Sequence, residues 1–301
     1  MNNKKLYNYL PNLILSLLLT FIFLALLLLI MAETIVFNPT VFTESMHKIS
    51  IEDTAFDEMQ TYFEQQYAYT GVDPQTLKKS VEKQDVSAAT YAYVEDTFNY
   101  IQGKNAEIPS FKISFDLLEK NVSDDYTKWA EEEGVEYTQE LENIKQKTIE
   151  NTEQAITSDL DVMLLSHINK PDGISTKLRL LLSAARKIRL ALAGTAIILL
   201  GIMAAINRKH ISGLLYWCGT FLFASSMLIL VPCVILKVTK YYDGLAIHND
   251  TVYNALSRSM YGITDNIIKF SVISLIVAIL IILLFVVAIN TKAESRKKIE
   301  Q

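Results

Sequence analysis

Cysteine is scarce in this sequence and absent from its polar half: the two present, Cys218 and Cys233, share one apolar stretch. Fifteen residues apart on one helix, they stand about 22 Å from each other, too far for a disulfide. The polar half must therefore fold without covalent staples, which small secreted animal domains seldom do. Histidine is equally sparse. His47, His167, His210 and His248 are scattered, with no His-x-x-x-His pair and no Cys-His cluster, so zinc is not expected. There is no glycine-rich phosphate loop, nucleophile elbow or paired-carboxylate signature. Glu131-Glu132-Glu133, Asp124-Asp125 and Asp159/Asp161 lack the alternating ligands and glycine of a calcium loop, and read as a solvated acidic face. No catalytic residue, no metal and no cofactor is expected.

The most telling absence is of charge. Residues 6–32, 190–207, 211–236 and 270–291 contain no Asp, Glu, Lys, Arg or His. About 20 such residues suffice for a helix to cross the hydrocarbon layer, a length that soluble core helices rarely sustain. The pattern predicts transmembrane helices at 12–32, 187–207, 211–236 and 268–290. The first is too long for a signal-peptide core and has Ile30 at the −3 position before Ala32, so it reads as an uncleaved anchor. Residues 33–186 are long enough to bury a core of their own. The expected fold is all-α: four transmembrane helices plus an α-helical extracytoplasmic domain inserted between spans one and two. Residues 1–11 form a cytoplasmic N-terminus, 237–267 an extracytoplasmic loop with a short helix, and 291–301 a basic cytoplasmic tail.

Charge is unevenly divided. Residues 33–186 hold 28 acidic and 14 basic side chains, a net −14, and the remainder is +9. A domain at −14 argues against nucleic acid and anionic headgroups as partners. Lys4 and Lys5, then Arg208 and Lys209, then Lys292, Arg296, Lys297 and Lys298 mark one side of the membrane, which the positive-inside rule makes cytoplasmic. Both termini then lie in the cytoplasm of a multi-pass plasma-membrane protein. Arg186, Lys187, Arg189, Lys237, Lys240, Arg258 and Lys269 run against this assignment, but long domains translocate largely regardless of charge.

The polar segment reads as helical throughout. Asn38-Pro39 and Asp73-Pro74 pair a cap with a first-turn proline, and Asp53, Asp85 and Ser175 are further candidate caps. Gly71, Gly103 and Gly134 are expected stops. Val86, Ala89, Tyr93, Val94, Phe98 and Ile101 form one buried stripe. A long helix from Thr138 carries Leu141, Ile144, Thr148, Thr152, Ile156, Leu160, Met163 and His167 on one face until Pro171-Asp172-Gly173 breaks it. Residues 104–114 look irregular. After the third span, Asp250 caps a short helix that stops at Gly262, and Asp265 caps span four.

Several residues are candidates for function. Ser212, Gly219, Ser226 and Cys233 recur every seven residues, and Gly194, Gly201 and Ala205 offer a similar small face in span two, suiting close helix packing or an oligomer interface. Span one, mostly Leu, Ile and Phe, is expected to face lipid. Tyr62, Tyr69, Tyr91 and Tyr100 outline an aromatic groove, with a plain aromatic core as the simpler alternative. Lys177, Arg179, Arg186, Lys187 and Arg189 form a basic run before span two that either holds the acidic domain on the membrane or sits among headgroups. Asn121-Val-Ser123 and Asn249-Asp-Thr251 match the glycosylation pattern, which carries no meaning in a bacterium. The uncharged spans argue against proton-coupled transport and intramembrane proteolysis.

With many lysines, few arginines and no disulfides, the composition suggests a Gram-positive bacterium. In layout, and along 85–109 with Ile101-Gln-Gly-Lys followed by Glu107-Ile-Pro, the chain resembles uncharacterised Gram-positive four-span integral membrane proteins with an extracytoplasmic helical domain. That resemblance implies architecture and no activity. The leading expectation is a non-enzymatic membrane protein whose outer domain binds a partner or senses an envelope signal. Its partners would be the lipid bilayer and another protein or a second copy, with no nucleic acid. A transport component with a hydroxyl path along Ser212, Thr220, Ser225 and Ser226 is the rival, and an envelope enzyme the third reading.

Overall fold

The computed structural model describes residues 3–70, 72–208 and 211–299. The helix stop at Gly71 and the residues Lys209 and His210 lie outside them, as do the side chains of Lys4, Lys5, Tyr67, Tyr69, Lys292, Arg296, Lys297 and Lys298. All regular structure among the described residues is helical. In chain order the helices are α1 (Asn3–Met31), α2 (Pro39–His47), α3 (Ile51–Thr70), α4 (Pro74–Lys79), α5 (Lys83–Ile101), α6 (Asp116–Glu133), α7 (Gln139–Asp159), α8 (Leu165–Ile168), α9 (Ile174–Ile206), α10 (Ile211–Val238) and α11 (Asp250–Ile299). A single π-helical turn, Ala32–Val36, continues α1, and a 3₁₀ turn, Tyr241–Gly244, follows α10. Two compact units result. A polar unit comprises Asn38–Arg179 with Leu245–Ser259, and an apolar unit comprises Met1–Phe37, Leu180–Gly244 and Met260–Gln301.

In the polar unit the cap-plus-proline pairs start their helices: Asn38 accepts the Thr40 amide at 3.1 Å, and Asp73 that of Gln75 at 3.0 Å. Thr138 likewise accepts from Leu141 N at the head of α7. Three other expected caps differ. Helix α3 begins two residues before Asp53, whose carboxylate pairs instead with Lys83, and Glu82 rather than Asp85 precedes α5. Ser175 turns its hydroxyl back to the Ile168 carbonyl at 2.9 Å. Gly134 takes the left-handed conformation that ends α6, with φ +64°. The α5 stripe is buried as spaced, and Phe63, Leu77, Ile101, Leu118 and Ile156 close the core.

Two long-range expectations fail locally. The helix from Thr138 does not continue to Pro171. It ends at Asp159, and Leu164 (φ 54°) turns the chain into the short α8. Gly262 does not stop a helix either, because α11 runs unbroken from Asp250 to Ile299, so the expected short helix and fourth span are one element. A lone internal glycine costs only about 1 kcal/mol against alanine, too little to break a helix with good formers on both sides.

Among the described residues, four helices are long and apolar enough to cross a membrane: Tyr9–Val36, Ile174–Ile206, Ser212–Val238 and Asp250–Thr291. Much of their apolar surface faces outward, as at Leu190, Ile197 and Leu284. This marks the chain as a membrane-associated protein. Span one is not simply a lipid-facing helix. Leu10, Ile14, Leu17 and Phe21 are exposed, but Leu19 and Leu26 are buried with Ala196, Met203, Trp217 and Phe221 of α9 and α10. Composition alone hides this, whereas the spacing of Asn12, Ser16 and Thr20, all buried and four residues apart, marks the inward face.

Candidate functional site

The apolar unit joins its helices through a few polar atoms. Asn12 and Asn207 exchange amide hydrogen bonds at 3.3 and 2.8 Å, and Asn207 also donates to the Met203 carbonyl at 2.7 Å. Gly213 leaves room for this pair, since a Cβ there would lie 2.8 Å from Asn207 Oδ1. Three of the four hydroxyls of the supposed path are already engaged. Thr220 donates to Tyr216 O, Ser225 to Leu222 O, and Ser226 to Ser274 of α11 at 2.7 Å.

The small-residue stripe of α10 divides. Gly219 and Ser226 are buried against α11, where a Cβ on Gly219 would meet Ile282 Cγ1 at 2.5 Å, while Ser212 and Cys233 are half-buried. In α9, Gly194 and Gly201 meet nothing within 4 Å, and Ala205 is exposed with them. Both cysteines are free.

The basic run separates by position along α9. Glu33, in the π turn, accepts Arg186 Nε at 2.9 Å and Arg189 Nη1 at 2.7 Å. Arg186 and Arg189, three residues apart, share a helix face, which makes the double contact possible. In the polar unit Arg179 lies 4.7 Å from the centre of the Tyr100 ring and donates to Ala106 O at 3.3 Å. Lys177 and Lys187 are exposed.

The tyrosines do not converge on one groove. Tyr91 donates to the Glu52 carboxylate and stacks on His47 at 3.9 Å; its phenol is pushed well up by burial and by Glu52. Tyr100 meets Thr176 at 3.1 Å. Tyr62 lines a shallow depression of about 450 Å³ with Asp57, Glu58 and Asn249. The side chain of Tyr69 lies outside the described residues. A second depression, about 490 Å³, is lined by Asp96, Lys104, Asn105, Glu107, Pro109 and Lys112. Its charges are balanced and Asp96 is held by Asn105 at 3.1 Å, whereas small-molecule sites are mostly apolar with a few convergent polar groups. Among the described residues no group of three His, Cys, Asp or Glu side chains could hold a metal ion.

The feature that stands out is the α6–α7 hairpin. Leu118, Val122 and Tyr126 of α6 and Thr148 and Ile156 of α7 are buried, and the Tyr126 and Thr148 hydroxyls meet across the two helices at 3.1 Å. The α6 stripe stays buried through Ala130. Trp129 follows Val122 and Tyr126 at helical spacing on α6, and Ile144 precedes Thr148 by one turn on α7. Yet Trp129 is 47 % exposed and Ile144 48 %, and between them Val135 and Tyr137 are exposed as well. The sequence placed Ile144 on one face of the helix with Thr148, Thr152 and Ile156; periodicity reports which residues share a face and not whether anything covers it.

Compared with known protein families, with curated proteins and with solved structures, the chain finds no match.

Proposed function

We propose that this is a non-enzymatic integral plasma-membrane protein whose polar helical unit lies outside the cytoplasm and binds a protein partner through the α6–α7 tip. The observation that carries the reading is the group of large apolar side chains left exposed around the end of this hairpin, Trp129, Val135, Tyr137 and Ile144. Orientation rests on the lysines and arginines flanking the spans. The rival transport reading is disfavoured by the hydroxyls Thr220, Ser225 and Ser226, each of which already donates a hydrogen bond. An enzymatic reading finds no convergent acid, base and nucleophile in either depression.

Two measurements test this. With both native cysteines replaced by serine, Asp124→Cys, at an exposed position on α6, is expected to react with an impermeant maleimide in intact cells. Labelling only after lysis would reverse the orientation. A photo-crosslinking residue at Ile144 is expected to give a discrete adduct in cells that the same residue at exposed Gln84 does not. Trp129→Asp should abolish it. Equal adducts at both positions, or none at Ile144, would remove the docking reading.

A further inference from the structure

Charge around the hairpin tip narrows what docks there. From 131 to 144 the chain carries six glutamates and no lysine or arginine. Glu131, Glu133, Glu136 and Glu140 are exposed and in no ion pair among the described residues, while Glu132 and Glu142 are met by Lys128 and Lys145 at 3.8 and 2.8 Å. Glu131, Glu132 and Glu133 follow Trp129 at the end of α6, Glu136 lies between Val135 and Tyr137 in the connection, and Glu140 and Glu142 open α7. Charges act over about a Debye length, 8 Å at physiological salt, so the carboxylates adjoining Trp129, Val135 and Tyr137 along the chain bear on that apolar surface. Resting on the docking reading above, we infer that the tip takes a lysine- or arginine-rich segment that also presents an apolar stripe.

The alternatives meet repulsion. A second copy would bring the same six glutamates face to face, and an anionic lipid surface would bring phosphates. The hairpin already holds one cation in this manner. The Lys145 ammonium sits 5.7 Å from the centre of the Tyr137 ring and against the Glu142 carboxylate. Trp129, with its indole exposed, offers a second and stronger aromatic face for a partner's cation.

The test uses the full chain in phosphatidylcholine nanodiscs, with Trp217→Phe leaving Trp129 as the single tryptophan. The probe is a tryptophan-free amphipathic lysine–leucine peptide of about eighteen residues, five helical turns. Its addition should shift Trp129 emission to the blue, with affinity falling about tenfold or more between about 0.05 and 0.5 M salt. Reversing Glu131, Glu133, Glu136 and Glu140 to lysine should weaken binding by a similar factor while far-ultraviolet dichroism stays unchanged. The salt series on the unreversed chain keeps the inference exposed to failure even if that variant misfolds.

A serine-for-lysine peptide that binds as tightly would overturn the inference. So would a blue shift that grows with protein concentration alone, which would indicate a second copy, or one produced by phosphatidylglycerol vesicles without peptide. A cellular adduct at Ile144 combined with no peptide binding would leave the docking reading standing and remove the cationic partner. No adduct would remove the docking reading itself.

Discussion

Gly219→Leu should destabilise the apolar unit by about 2–4 kcal/mol, the largest single effect expected from any one side chain in the spans. The glycine faces α11 so closely that a Cβ would lie 2.5 Å from Ile282 Cγ1 and 3.3 Å from both the Ala278 carbonyl and the Ile282 amide. A flexible side chain could yield; a helix backbone cannot without moving the helix. Overpacking of this kind costs about 1–3 kcal/mol. Separating the helices also breaks the 2.7 Å hydrogen bond between Ser226 and Ser274, and such interhelical bonds contribute about 0.6 kcal/mol on average in membranes. Trp217 is buried in the α1–α9–α10 core. With Trp129→Phe it becomes the only tryptophan and reports denaturant unfolding of this unit in detergent. Gly201→Leu is the control, because nothing lies within 4 Å of its Cβ position. If both leucines lower the midpoint equally, the close approach of α10 and α11 is wrong.

The contrast between these glycines shows what the sequence could and could not disclose. Residues 219 and 226 fall on a heptad stripe that is legible as small, and so do 194 and 201, yet only the first pair meets a neighbour. Small-residue spacing reports that a helix could be approached closely, not that a second helix comes. Proline and asparagine at 38–39, aspartate and proline at 73–74, and the left-handed glycine at 134 were legible because their chemistry is local. Asp53, Asp85 and Ser175 have the same cap chemistry, but Asp53 is held by Lys83 and Ser175 by the Ile168 carbonyl, contacts that local rules do not contain. The Asn12–Asn207 pair was missed because its members stand 195 residues apart. The four-residue spacing of Asn12, Ser16 and Thr20 was its only sequence trace. At the candidate site the acidic turn and the apolar stripes were each readable. The exposure of Trp129, Val135, Tyr137 and Ile144 was not, since it depends on what packs against each helix and not on spacing.

Asp161→Ala is the second large effect, expected to cost the polar unit about 2–4 kcal/mol. The sequence offered Asp161 only as half of an acidic pair unsuited to calcium. In the fold it is 5 % exposed, and its two carboxylate oxygens accept the backbone amides of Leu165 at 2.6 Å and Ser166 at 2.8 Å. These are orphan donors at the head of α8, and the left-handed Leu164 directs them at the carboxylate. Hydrogen bonds to a charged acceptor contribute about 1.5–3 kcal/mol each, and removing the acceptor strands the buried Leu165 amide and the part-buried Ser166 amide, effects that do not simply add. Helix α8 has four residues and cannot hold itself. Its other tethers are the Ser175 hydroxyl on the Ile168 carbonyl and Asn169, which donates to Thr97 at 2.7 Å and Tyr93 at 3.3 Å on α5. Asp161→Asn keeps one acceptor oxygen and should lose about half as much. Unfolding followed by Trp129 emission in the Trp217→Phe chain, with amide exchange at Leu165 and Ser166, separates the cases. The alanine variant should expose both amides before the unit unfolds. An alanine variant with parental stability and protected amides would show that the turn from α7 into α8 is held by packing rather than by this carboxylate.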